Sequence, residues 1–331
     1  MKKKKEALAV VVAAALLAAL LHGAGWLLLP YADYNGTDWR RYAREPENSV
    51  DVLYVGSSLV FCDLDPVGIY GRCGVTGFNV AGPQQSMAIS YYYIREACRT
   101  QNPRAVFVEL GGMLNSPEDE FTVSDIAFMP RGMNRLMASL FAARPEDLPG
   151  LLFPALKYHD YWTSLDLASI REKLQPITPD PLTGYQPVTV TRPFEGIEQI
   201  DDCGIDYARN LRYLKKTADF CAEKGIELYL IYSPAGRTAS PERKAQLRQE
   251  LAACPVTDIL DFTQDERLAA VGLDPETDWS DEMHLNVSGA SKLSAWVADY
   301  LRARGFTASA AQDRALWQQR LDGHDAECGT A

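Results

Sequence analysis

The run Val50-Asp51-Val52-Leu53-Tyr54-Val55 opens the globular part of the chain, and it ends at Gly56-Ser57-Ser58-Leu59. Its residues are mostly β-branched or apolar, which is typical of a strand buried in a sheet. The glycine after the last apolar residue permits a tight exit from the strand. The run therefore predicts a buried strand with two hydroxyl groups, those of Ser57 and Ser58, at its carboxyl end.

Four further runs repeat this pattern along the chain and alternate with helical stretches. The predicted strands cover 77–81, 105–110, 227–232 and 257–262, and the predicted helices cover 84–100, 207–224, 241–253 and 287–304. Strands that alternate with helices indicate βαβ units and a parallel sheet. We therefore predict a protein of the α/β class, a three-layer α/β/α sandwich around a five-stranded parallel sheet of flavodoxin-like kind.

The alternation lapses between about residues 115 and 200, which we interpret as a helical insertion. Helical segments are predicted around 133–143, 148–156 and 161–174, before a proline-rich turn region. Because the segment is rich in aromatic residues, we expect it to pack as a cap on the sheet. The tail from residue 307 onward is predicted to hold one helix near 311–321, and we assign it no chemistry.

The N-terminus is predicted to anchor the chain in a membrane. Residues 1–6 carry four consecutive lysines, and 7–29 is an almost unbroken apolar run. A membrane span takes roughly 20 apolar residues, and lysine-rich flanks stay in the cytoplasm. The rest of the chain is then extracytoplasmic. A cleaved signal peptide is the alternative, and it also exports the domain. The predicted organisation is a basic cytoplasmic end (1–6), a single-pass signal-anchor (7–29), a juxtamembrane connector (30–48), a catalytic domain (49–306) and a tail (307–331).

Composition argues against several classes of function. The formal net charge is −11, which does not suit nucleic acid, because that ligand rewards clustered Lys and Arg. Seven cysteines at irregular spacing form neither a disulfide framework nor a zinc pattern. Cys62 and Cys73 are either a pair or buried free thiols. No P-loop or dinucleotide fingerprint is present, and we predict no cofactor and no metal.

The block Asp281-Glu282-Met283-His284 lies between the last predicted strand and the last predicted helix, where open α/β sheets bind ligands. A carboxylate three residues before a histidine can accept its Nδ1 proton and leave Nε2 free as a base. Of the four histidines, His22 lies in the apolar run, His324 in the tail and His159 in the insertion. Asp281 and His284 are therefore candidate catalytic residues.

The serine block is ambiguous by itself. A serine after a strand can act as a nucleophile, and it can also simply cap the next helix. The block contains no G-x-S-x-G elbow, which argues against a standard α/β-hydrolase.

Together, these blocks resemble the SGNH (GDSL-like) hydrolase superfamily. Gly56-Ser57-Ser58-Leu59 is similar to the G-D-S-L block of that family with Ser in place of Asp, and Asp281 to His284 is similar to its C-terminal D-x-x-H block, in the same order along the chain. The resemblance implies that Ser58 is the nucleophile, that His284 is the general base and that Asp281 orients it.

The resemblance also implies an oxyanion hole. In the family, a glycine after the second strand donates a backbone N–H, which here is that of Gly82, and the Ser58 N–H is a second donor. The third block departs from the family pattern, because Gly111-Gly112-Met113-Leu114-Asn115 stands in place of G-x-N-D. Asn115 is the candidate third donor, at an unusual spacing.

The anchor, the G-S-S block and the insertion are similar to D-alanyl-lipoteichoic acid biosynthesis proteins and alginate O-acetylation proteins, which work beside membrane-bound O-acyltransferases. The resemblance implies a serine esterase or O-acyltransferase that acts on acyl esters of a cell-surface polysaccharide or related polymer, and it leaves hydrolysis and transfer open. The alternative is a catalytically inactive SGNH-like protein that binds polysaccharide or is a scaffold for the acyltransferase.

Overall fold

A five-stranded parallel sheet forms the centre of the molecule in the computed structural model, which describes residues 2–31, 34–114, 119–201, 206–308 and 313–329. The strands in chain order are β1 (Val52–Gly56), β2 (Gly77–Ala81), β3 (Ala105–Glu109), β4 (Glu198–Ile200), β5 (Glu227–Tyr232), β6 (Arg237–Ala239) and β7 (Asp258–Asp261). The large sheet has the order β2-β1-β3-β5-β7, and each neighbouring pair is parallel. The predicted flavodoxin-like sheet is confirmed.

Helices surround this sheet and also form most of the insertion. In chain order they are α1 (Lys2–Leu28), α2 (Trp39–Tyr42), α3 (Ser58–Phe61), α4 (Pro66–Cys73), α5 (Met87–Ala97), α6 (Asp119–Phe128), α7 (Met133–Phe141), α8 (Leu148–Leu152), α9 (Pro154–Lys157), α10 (Leu167–Leu174), α11 (Tyr207–Lys224), α12 (Pro241–Glu250), α13 (Asp265–Val271), α14 (Val287–Ala303) and α15 (Arg314–Glu327). Short 3₁₀ segments lie at Leu110–Met113, Pro145–Asp147 and His159–Ser164.

The strands supply two hydrophobic cores, one on each face of the sheet. Successive strand residues point to opposite faces. On β1, Leu53 and Val55 belong to the core that α5 and α11 cover, whereas Val52 and Tyr54 belong to the core that α4 and α14 cover. Every residue of β1 is buried, and burial of such an apolar side chain contributes about 1.5–3 kcal/mol. Helices on both faces of the sheet make the three-layer sandwich.

The insertion is helical as predicted, with several differences. The predicted helix 161–174 is a 3₁₀ segment, His159–Ser164, followed by α10, and α6 was not predicted. One helix was expected over 148–156, but the structure has α8 and α9, because Pro154 begins a new helix and cannot donate a backbone hydrogen bond within the preceding one. The insertion also ends in β4, which pairs in parallel with β6 to make a second, two-stranded sheet. A three-residue strand leaves too short a pattern in the sequence to be recognised.

The tail helix α15 packs against α4. The Trp317 side chain is buried, and its ring centroid lies 4.6 Å from that of Tyr70. Arg320 forms a buried ion pair with Glu45 of the connector. The C-terminal segment is therefore tied both to the sandwich and to the region that follows the N-terminal helix.

Among the described residues, α1 is the one helix that is long and apolar enough to cross a membrane. Its apolar window has a mean hydropathy of 2.4 and is not buried within the protein. A signal sequence has the same properties. After this helix the connector reaches the large sheet, where the Thr37 N–H donates to the Ala81 carbonyl oxygen over 2.8 Å.

Candidate functional site

Two serines leave the carboxyl end of β1 in different directions. Ser57 is the N-cap of α3, and its hydroxyl is directed inward and donates to the Glu109 carboxylate over 3.0 Å. Ser58 is the first residue of α3, and its Oγ lies 2.7 Å from His284 Nε2. The structure therefore brings the Ser58 hydroxyl to the histidine and uses the Ser57 hydroxyl as a structural group.

His284 also contacts the predicted acidic partner. Its Nδ1 lies 2.9 Å from Asp281 Oδ2 and 3.0 Å from Oδ1. Asp281 Oδ1 accepts two further hydrogen bonds, from the backbone N–H groups of Met283 at 2.7 Å and of His284 at 2.8 Å. Partial burial opposes ionisation of Asp281, but the hydrogen bonds from His284 and the two N–H groups outweigh it and hold the pKa below its usual value. Asp281, His284 and Ser58 thus form a continuous hydrogen-bonded series.

The turn that carries Asp281 and His284 is held at both ends. Before it, Trp279 donates through Nε1 to the Pro234 carbonyl oxygen over 3.0 Å. After it, the Leu285 N–H donates over 2.9 Å to Asp63, a carboxylate that is wholly buried and whose pKa is raised by that burial. Asn286 then caps α14 by accepting from the Gly289 N–H at 3.1 Å. This support fixes the direction in which the imidazole points.

Glu109, the last residue of β3, lies beneath the serine block, and sequence reasoning missed it. Its carboxylate accepts from Ser57 Oγ and from the Gly111 N–H. Burial raises the pKa of Glu109 to about 7, against the two hydrogen bonds, which favour the ionised form. The signal in the sequence is a glutamate at the end of an otherwise apolar strand.

Gly56 is required by the close approach of β1 to this glutamate. A Cβ atom at position 56 would lie 2.5 Å from Glu109 Cβ and 2.8 Å from Val60 Cγ2. Both distances are shorter than van der Waals contact allows, so β1 must end in glycine for the serine block to sit where it does.

Of the three expected oxyanion donors, the structure describes Ser58 and Gly82. The Gly82 N–H donates to the Gly56 carbonyl oxygen at 3.2 Å, and Gly82 does not line the cavity over Ser58. The Gly82 N–H is thus engaged in the backbone between β1 and β2, and its role as an oxyanion donor stays a prediction. Asn115 lies outside the described residues. The Ser58 N–H stands at the first position of α3, where no intrahelical acceptor exists.

A cavity of about 410 Å³ opens over Ser58 and His284. Its other lining residues are Ser57, Leu59, Gln84, Gly111, Leu114, Ile200, Arg237, Glu282 and Met283. Ile200 belongs to β4 and Arg237 to β6, so the small second sheet forms one wall. This lining mixes apolar side chains with charged and amide groups, which suits a substrate that has both apolar and hydroxylated parts.

The other polar candidates lie outside this cavity. His159 is exposed, with Nε2 3.2 Å from Asp160, and His324 Nε2 lies 2.7 Å from Asp65, so that this hydrogen bond raises the pKa of His324 to about 10. Cys62 and Cys73 are not paired in the structure: Cys62 is a buried free thiol, and Cys73 is a free thiol that is only partly buried. In the part of the chain that the structure describes, no three His, Cys, Asp or Glu side chains are grouped closely enough to hold a metal ion.

The fold and site together define a three-layer α/β/α protein with a hydrogen-bonded Ser, His and Asp at the carboxyl edge of its sheet. No protein-family model and no curated protein matches the sequence. Several solved structures are similar to it at low identity, and three of them are described here. A proposed acylhydrolase from Bacteroides fragilis is 11% identical with a TM-score of 0.34, over 80% of this chain and 94% of its own. A variant of an acetyl-xylooligosaccharide esterase from Geobacillus is 13% identical with a TM-score of 0.36, over 78% of this chain and 97% of its own. A family 3 carbohydrate esterase from Clostridium thermocellum is 12% identical with a TM-score of 0.32, over 78% of this chain and 100% of its own.

Proposed function

We propose that this protein is a serine esterase or O-acyltransferase of the SGNH type, with a catalytic domain over residues 49–306. The observation that carries the proposal is the unbroken series from Ser58 Oγ to His284 Nε2 at 2.7 Å and from His284 Nδ1 to Asp281 Oδ2 at 2.9 Å. A nucleophile within reach of a base, which a third group orients, is the geometric requirement for acyl transfer through a covalent intermediate.

The proposed reaction begins when Ser58 Oγ attacks an ester carbonyl carbon while His284 Nε2 takes the hydroxyl proton. The Ser58 N–H donates to the oxyanion of the tetrahedral intermediate. The alcohol then leaves with the proton from His284, and the acyl group stays on Ser58 as an ester. Attack by water, deprotonated by His284, releases a carboxylic acid, whereas attack by a sugar or polyol hydroxyl transfers the acyl group.

The proposed substrate is an acyl ester of a cell-surface carbohydrate or related polymer, and the proposed location is the extracytoplasmic face of a membrane. The four lysines at the start of α1 support this orientation, because basic flanks stay in the cytoplasm. A membrane-bound O-acyltransferase is the proposed partner, on the resemblance to polymer-acylation proteins.

Labelling with a fluorophosphonate probe tests the proposal, because the probe reacts covalently with an activated serine. The full chain in detergent should be labelled, and Ser58→Ala should abolish labelling. Ser57→Ala is the matched control and should still be labelled. Full labelling of Ser58→Ala removes that residue from the nucleophile role, and an unlabelled wild-type chain that also fails to turn over p-nitrophenyl acetate favours the inactive scaffold.

A further inference from the structure

The end of α1 is built into the helical insertion. A Cβ atom on Gly25 would lie 3.4 Å from Pro154 of α9, so the two helices are in contact there. Arg131 donates to the His22 carbonyl oxygen at 2.9 Å, and Lys173 of α10 donates to the Leu27 carbonyl oxygen. Cationic side chains therefore contact carbonyl groups in the last two turns of α1, and the Leu27 carbonyl lies in the final turn, where no intrahelical donor remains.

Aromatic rings continue this junction beyond the helix. Tyr34 stacks on Phe128 with a centroid distance of 4.2 Å, and Tyr31 meets the same ring edge-on at 5.2 Å. Leu29 is buried against Phe128. These rings pack on one another, and the Tyr34 hydroxyl donates to Asp125 of α6 over 2.9 Å. The exit of α1 is therefore fixed to the insertion.

The length of α1 places the insertion next to the lipid headgroups. The helix has 27 residues and begins with four lysines and Glu6, so its apolar part, 7–28, is about 33 Å long, compared with a hydrocarbon core of about 30 Å. The last turn, which contacts α9 at Gly25, therefore lies at the end of the core, next to the headgroup region. Whatever packs on that turn lies at the surface of the bilayer.

The insertion exposes large apolar side chains on the helices that adjoin α1. Leu156 on α9 is 56% exposed, Trp162 in the neighbouring 3₁₀ segment is 66% exposed, and Leu167 and Leu174 on α10 are 83% and 70% exposed. Leu152 on α8 is also exposed. Exposed apolar side chains can mark an interaction site, and these lie on segments that adjoin a helix suited to a bilayer.

We propose that α8, α9, the segment His159–Ser164 and α10 form a docking surface that lies in the lipid headgroup boundary beside α1. The occupant is the bilayer itself, because this surface is continuous with the apolar helix and meets it at the height where the helix leaves the hydrocarbon core. Apolar side chains of an interfacial segment reach about 5–10 Å into that boundary. The domain therefore contacts the membrane surface directly and is not connected to it only through a flexible linker.

This docking determines where the candidate site lies. From Leu29 to Thr37 the chain can extend over at most about 28 Å, and Thr37 is bonded to Ala81 at the carboxyl edge of the large sheet. Ser58 lies at that same edge, following the neighbouring strand. This conclusion about the substrate rests on the proposed function: the ester substrate is one that is presented at the membrane surface.

Quenching of tryptophan fluorescence by brominated lipids tests the docking surface in the full chain, reconstituted into vesicles. In a Trp26→Phe background, which removes the tryptophan of α1, emission that depends on Trp162 should fall by roughly half or more, because the ring lies in the boundary region where bromine atoms are placed. A Trp26→Phe/Trp162→Phe chain gives the background of the other tryptophans. The Trp162→Phe chain retains Trp26, and the quenching of Trp26 emission reports whether α1 is inserted in the bilayer.

Charge variants show whether contact with lipid is what quenches Trp162. Leu156→Glu and Leu167→Glu in the Trp26→Phe background should weaken the quenching of Trp162, whereas Val190→Glu, an exposed apolar position outside these helices, should not. Insensitivity of Trp162 to brominated lipid while Trp26 is quenched overturns the proposal. If the Trp162 emission changes with protein dilution and not with brominated lipid, the surface binds a second copy of the chain, and this result also overturns the proposal. Serine labelling is a separate readout, so loss of the proposed reaction leaves this outcome unaffected.

Discussion

Glu109→Gln is expected to remove a pH-dependent loss of stability that the buried carboxylate causes. Burial raises the pKa of Glu109 from 4.5 to about 7. Between these two values the folded chain holds a proton that the unfolded chain releases, so the free energy of unfolding falls as pH rises. Each unit of difference corresponds to about 1.4 kcal/mol. The wild type should therefore lose about 2 to 3 kcal/mol through this group between about pH 5 and about pH 8.

Urea unfolding of the full chain in detergent at these two pH values gives the required free energies. A buried carboxylate that is not coupled to Glu109, such as Asp125, titrates equally in both proteins, so the quantity to compare is the difference between wild type and variant. That difference should shift by about 2 to 3 kcal/mol in favour of Glu109→Gln as pH rises. Glu266→Gln, at an exposed position on α13, is the control and should show no shift. A difference for Glu109→Gln that stays constant with pH refutes the reasoning.

Two further substitutions test the geometry of the site. Asp281→Asn should lower kcat by about 10²–10⁴-fold with little change in KM, because the amide loses the charge that stabilises the imidazolium and can fix the wrong tautomer; a kcat close to wild type on the chosen ester contradicts the orienting role. Gly56→Ala should cost about 1–3 kcal/mol, seen as a lower Tm, because the new Cβ overlaps Glu109 and Val60. Gly323→Ala, where a Cβ meets nothing within 4 Å, is its control, and equal Tm values for the two variants would refute the packing argument.

Much of the fold could be predicted because its signals are local. The strand from Val52 to Gly56 and the helix from Tyr207 to Lys224 are visible as apolar runs and helical spacing over a few residues. The break at Pro154 was not predicted, because 148–156 was interpreted as one helix. The strand Glu198–Ile200 was not predicted, because three residues carry no period.

The candidate site divides in the same way. Asp281 and His284 lie three residues apart, so one turn of chain brings them together, and their pairing is readable from the sequence. Which serine faces the histidine is not readable, because Ser58 and His284 are 226 positions apart and meet only when the sheet is assembled. The buried Glu109 accepts a hydrogen bond from Ser57, and the Gly56 carbonyl oxygen accepts one from Gly82. Both are contacts between strands. Short-range patterns therefore determined the elements and the acid–histidine turn, whereas long-range packing decided which hydroxyl meets the histidine and which backbone donors are already engaged.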